Sequence, residues 1–91
     1  MGTEYGAVKV RFETDGAVMD ITDADGCILA SATLLHYEAV GEVERGALRF
    51  ARERGWLPEE NGSHWLIGAG GLMTRRVRRE AAVEGARVPV P

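Results

Sequence analysis

From Ala7 to Glu13 the chain alternates without a break: Val8, Val10 and Phe12 on one side, Lys9, Arg11 and Glu13 on the other. A period of two is that of a half-exposed strand. Thr14-Asp15-Gly16 then reads as a turn, and residues 17–22 as a second strand with Ala17, Met19 and Ile21 inward. Asp23-Ala24-Asp25-Gly26 is a second turn, whose Asp-Gly pair is a hairpin signal. Residues 27–33 form a third strand, apolar on both faces, a pattern that suits a central or doubly covered position. Together the three predict an antiparallel meander.

The period changes between Tyr37 and Gly55. At 3.6 residues per turn Val40, Val43, Ala47 and Ala51 share one face, with Phe50 at its margin, while Glu38, Glu42, Arg45, Arg49, Arg52 and Glu53 take the other. Acids come first along this segment and arginines last, an order that complements the helix dipole. Arg49 and Glu53 are placed to pair one turn apart. Gly55 suits a left-handed stop, Trp56 can fold back on the last turn, and Pro58 cannot continue the helix. The start is less sharply marked: Thr33 could cap it, or Leu34 and Leu35 could end a strand. Gly41 and Gly46 lie inside the helix, where each costs about 1 kcal/mol relative to Ala. Gly46, beside Ala47, suits close packing against another segment.

Residues 59–63 read as a polar loop and 64–69 as a fourth strand, with Gly70-Gly71 as a two-residue hairpin turn. Beyond it the pattern supports either a strand over 72–77 or a short helix over 72–84, since arginines are better tolerated in helices than in strands. Residues 86–91, with Pro89 and Pro91, read as an extended tail. The expected fold is α+β within a single domain of residues 1–91. It is a three-stranded antiparallel meander packed by one amphipathic helix at about 37–54, followed by a C-terminal hairpin or strand-helix. The expected core is Val8, Val10, Phe12, Met19, Ile21, Ile28, Ala30, Val40, Val43, Ala47, Phe50, Trp56 and Ile67.

Asp25-Gly26-Cys27-Ile28-Leu29-Ala30-Ser31, then Tyr37, then Gly46-Ala47-Leu48, resembles the ββα unit of the YegP-like family of small bacterial proteins. The resemblance covers residues 8–54. The Gly26-to-Tyr37 spacing is two residues longer than in the family, and Glu38-Ala39 stands where the family has a Ser or Thr cap. The resemblance implies a ββα fold and pairing of two such units, and brings no catalytic residues.

Composition narrows the class. At 91 residues, 45% hydrophobic and 27% charged, the chain is ordinary globular stock. No apolar run approaches the roughly 20 residues that span a bilayer, and no signal peptide is visible. A lone cysteine, Cys27, fits the reducing cytoplasm. The net charge of −3 is uneven. Residues 1–35 hold two basic side chains against six acidic ones, whereas residues 63–91 hold five arginines against two glutamates. The last third is therefore basic on an acidic body.

Four constellations bear on chemistry. Asp20, Asp23 and Asp25 do not fit a calcium loop, because the frame would need an acid where Ile21 stands; turn-building is their expected role. His36, His64 and Cys27 are the soft-metal candidates but lack metal-ligand spacing. Cys27 reads as a small buried apolar group, with acidic neighbours that disfavour a thiolate. Gly68-Ala69-Gly70-Gly71 is neither a P-loop nor a dinucleotide fingerprint. Arg75, Arg76, Arg78 and Arg79 are the sharpest feature, able to hold phosphates or carboxylates by bidentate hydrogen bonds. As a strand they would split between two faces. No cofactor and no catalytic set is expected. The expectation is a small non-enzymatic module of adaptor or inhibitor type, of the kind bacteria and phages encode, binding another protein or itself. The alternative is nucleic-acid or phosphate binding through Arg75–Arg79. Homodimerisation is expected from the apolar strand 27–33 and an open edge on strand 7–13.

Overall fold

The computed structural model describes residues 2–59 and 65–80. The loop around 60–64 with His64, the helical alternative beyond 80 and the tail at 86–91 lie outside the described residues.

Three long strands form the expected meander: β1 (Thr3–Glu13), β2 (Gly16–Asp23) and β3 (Ile28–Leu35). They are followed by α1 (Val40–Glu53), two short strands β4 (Leu57–Pro58) and β5 (Leu66–Ile67), and a long strand β6 (Met73–Glu80). The sheet order is β3-β2-β1-β6-β4, all antiparallel, with β5 also paired to β6. So 72–84 is a strand as far as it is described.

The alternation in β1 sorts the side chains as expected. Val8 and Val10 are fully buried, matched across the register by Ile21 and Met19 on β2 and, for Val10, by Met73 on β6. One helix covers this inner face with Val43, Ala47, Phe50 and Ala51. The core adds Ala17, Trp56 and Val77. Burying each large aliphatic side chain contributes on the order of 1.5–3 kcal/mol.

Gly55 (φ +88°) ends the helix: its N–H donates to the Arg52 carbonyl and that of Trp56 to Ala51. This pair of bonds is the Schellman arrangement, and it satisfies carbonyls the helix leaves open. It also aims Trp56 into the core, onto Gly6. A Cβ on Gly6 would stand 2.3 Å from the Thr22 carbonyl oxygen and 3.2 Å from the indole. The close approach expected at Gly46 is not found: a Cβ there would meet only the Leu34 side chain, at 3.4 Å.

Several expectations are corrected. The helix starts at Val40, because Ala39 is extended (φ −141°, ψ 152°) and offers no capping side chain. Val40, expected in the core, is 49% exposed as the first residue of the helix. The third strand is not central but the edge of the sheet, and β1 is not an edge but lies between β2 and β6. The reason is that β6 returns to pair with β1, closing the side that a three-strand meander would leave open. Ile28, expected in the core, is therefore exposed, as is Cys27. Ile67 is exposed because β5 is only a two-residue margin strand, far shorter than the expected 64–69. Phe12 and Ala30 are half-buried against the core. The β5–β6 connection is not a two-residue turn. It spans Gly68–Leu72 through a 3-10 turn, with Gly70 and Gly71 both at positive φ.

Candidate interaction surface

Antiparallel pairing with β1 decides where the arginines of β6 stand. Met73 and Val77 are buried on the helix side, so Arg75 and Arg79 share that side while Arg76 and Arg78 face the opposite, helix-free side. Arg79 is committed within the fold. Its Nε donates to Glu4 Oε1 at 2.6 Å, and its guanidinium lies 4.4 Å from the Trp56 ring centre. Arg75 is half-buried between Met73 and Val77, and its Nε has no hydrogen-bond partner among the described residues. Arg76 is 3.6 Å from Glu59, and Arg78 stands opposite Tyr5. The four guanidiniums therefore do not form one basic patch.

The helix-free side of the sheet is mixed in sign. Lys9, Arg11, Arg76 and Arg78 stand there with Glu13, Asp20 and Glu80, placed by the alternation of their strands. Asp20 is only 8% exposed on this open side. Ser31 Oγ donates to its Oδ1, and Arg11 lies 3.8 Å from its Oδ2. The Asp23 carboxylate is spent on its turn, accepting from the backbone N–H groups of Asp25 and Cys27 at 2.9 Å each. Among the described residues, no three His, Cys, Asp or Glu side chains converge on a point where a metal could sit. His36 takes a left-handed conformation (φ +60°) in the exposed link from β3 to the helix.

The remaining surface feature is apolar. Ile28, Leu29 and Leu35 are 62, 48 and 52% exposed, and all three belong to the margin strand β3. Eight residues long, β3 contains no charge and no proline, so the usual protections of an exposed edge are missing apart from one irregularity near Thr22. Its outward N–H and C=O groups are unpaired among the described residues. The opposite margin differs: β4 and β5 are two residues each, and β4 contains Pro58. At the far end of β3 lies an open hollow of about 670 Å³ lined by Thr14, Asp15, Gly16, Leu35, His36 and Tyr37. A second of about 470 Å³ adjoins it, between Leu34 and the helix residues Arg45, Gly46 and Arg49.

Local pattern located the apolarity of this segment but not its place at a margin, which depends on the distant strand β6. Comparison with known protein families, with curated proteins and with solved structures gives no match.

Proposed function

We propose that the chain is a protein-binding module that docks through the open edge of β3, its partner adding a strand to the sheet. The observation that carries this reading is the eight-residue margin without charge or proline, bordered by exposed Ile28, Leu29 and Leu35. Main-chain hydrogen bonds supply affinity in such strand addition, and side-chain pockets beside the edge supply selectivity. The hollows at the Leu35 end are suited to the second role. The module is of adaptor or inhibitor type, non-enzymatic, and works in the cytoplasm, where the exposed Cys27 thiol stays reduced. No described helix is long and apolar enough to cross a membrane.

A second reading is nucleic-acid binding on the helix-free side of the sheet. It is favoured by Lys9, Arg11, Arg76 and Arg78 beside the half-exposed Tyr5. Ion pairs of Arg11 with Asp20 and Glu13, and of Arg76 with Glu59, compete with it.

One experiment separates the two: affinity capture from a native lysate with the wild type, Thr33→Lys and the double variant Arg76→Ala/Arg78→Ala. Thr33 is an exposed β3 residue, and a lysine there opposes strand addition without touching the core. The captured protein is expected to be lost with Thr33→Lys and kept with the arginine variant. Retention with Thr33→Lys refutes the docking reading. A steep salt dependence of duplex or single-strand binding, reduced in the arginine variant, supports the second.

A further inference from the structure

We propose, building on the docking reading above, that residues 81–91 fold back through a hollow beside Trp56 and cover the Ile28 end of the β3 margin, so that a partner strand must displace them.

The hollow, of about 330 Å³, begins where the described chain leaves the sheet. Glu4 and Arg79, next to the last residue of β6, line it together with Trp56. Asp23, Asp25 and Leu29, around the start of β3, line it as well. Leu29 belongs there because of the bulge between β2 and β3. Thr22 stands opposite Ile28 and Ile21 opposite Ala30, which leaves Leu29 without a partner on β2. The length of the segment suits the span. Glu80 stands opposite Thr3, while Thr22 stands opposite both Ala7 and Ile28. The start of β3 is thus three strands across and four residues inward from Glu80. That is about 20 Å, at roughly 4.8 Å per strand and 3.3 Å per residue. Residues 81–91, fully extended, would span roughly 36 Å, which leaves length for the reversal.

The sequence of the segment fits this seat. With a period of two, Val83 and Arg87 share one side and Glu84 takes the other. The hollow offers Leu29 and Trp56 to an apolar side chain. It also sets three carboxylates against one guanidinium, and Asp25 makes no ion pair among the described residues. Arg87 is the one basic residue beyond Arg79. Val88 and Val90 would turn their N–H groups to one side, and Pro89 and Pro91, on the other, have none to offer. Such a stretch can pair with an open margin and leaves no outer donors for a further strand. Tethering selects this occupant over a free one. A segment joined to the rim of its own site acts at an effective concentration of roughly millimolar, which a separate molecule of equal chemistry does not match.

Hydrogen exchange of the 91-residue chain tests the seat. Compared with the wild type, Arg87→Glu and the double variant Val88→Asp/Val90→Asp should exchange the amides of residues 27–30 roughly tenfold faster, with those of β1 unchanged. A second readout uses Cys27, the sole cysteine. In oxidised glutathione, Val88→Cys is expected to close a disulfide with it inside one molecule, at a rate independent of protein concentration. Adding Arg87→Glu should slow that closure severalfold. Equal exchange in wild type and variants, or a closure rate that Arg87→Glu leaves unchanged, overturns the proposal. Lysate capture separates it from the docking reading. Capture abolished by Thr33→Lys and raised by the two segment variants supports both. Capture abolished by Thr33→Lys and unchanged in the segment variants overturns the displacement, and the docking reading stands. Capture retained with Thr33→Lys refutes the docking reading and the displacement with it, and exchange and disulfide closure then decide the seat alone.

Discussion

Gly6 and Gly46 show how differently two glycines can matter. At Gly6 an added methyl meets the Thr22 carbonyl at 2.3 Å and the Trp56 ring at 3.2 Å, neither of which can retreat without moving backbone or core. At Gly46 it meets only Leu34 Cδ2 at 3.4 Å, an ordinary contact. Gly6→Ala is therefore expected to destabilise by about 1–3 kcal/mol. Gly46→Ala is expected to stabilise by about 0.5–1 kcal/mol, by removing the helix penalty of glycine. Urea unfolding of the two variants checks both signs. The sequence suggested a close approach at Gly46, beside the buried Ala47, but only the flexible end of Leu34 lies there and a methyl fits. Nothing local marked Gly6, since Thr22 and Trp56 are far along the chain and meet it only in three dimensions.

Elements were legible wherever their signals are local. The period of α1, its stop at Gly55 and the alternation of β1 depend on neighbours within a turn or two, and each stands where the pattern put it. The placement of strands is not local. A run apolar on both faces, such as 27–33, has the same composition whether it is enclosed by a sheet or offers its edge to a partner. The arginine-rich segment read equally as helix or strand until β1 supplied eight cross-strand pairs, from Thr3–Glu80 to Val10–Met73. Within that strand the arginines are unequal. Arg79 ties β6 to Glu4 on β1 and to Trp56 at the helix exit, whereas Arg78 makes no ion pair among the described residues. Arg79→Ala is expected to cost about 1–2 kcal/mol, from a partly exposed ion pair and a cation–π contact. Arg78→Ala should stay within about 0.5 kcal/mol. Thermal melts of the two, side by side, give the contrast.

Over the whole molecule, the chain's first and last described strands are joined at the middle of the sheet. Pairs such as Thr3–Glu80 close a loop of nearly the entire described chain, and such long closures slow folding. Refolding is expected in the millisecond-to-second range, followed by stopped-flow fluorescence of the buried Trp56; a microsecond relaxation would contradict it. The four arginines of β6, conspicuous in the charge pattern, are dispersed by this arrangement: β6 runs through the middle of the sheet and turns them to both sides. The same arrangement matters at the ribosome. Strand β1 is made before β6, yet its second flank has no neighbour until residue 80 has emerged, so while the residues between them are made the nascent chain carries a half-finished ribbon. Holding that flank apart from other chains until β6 arrives would raise the yield of correctly closed molecules.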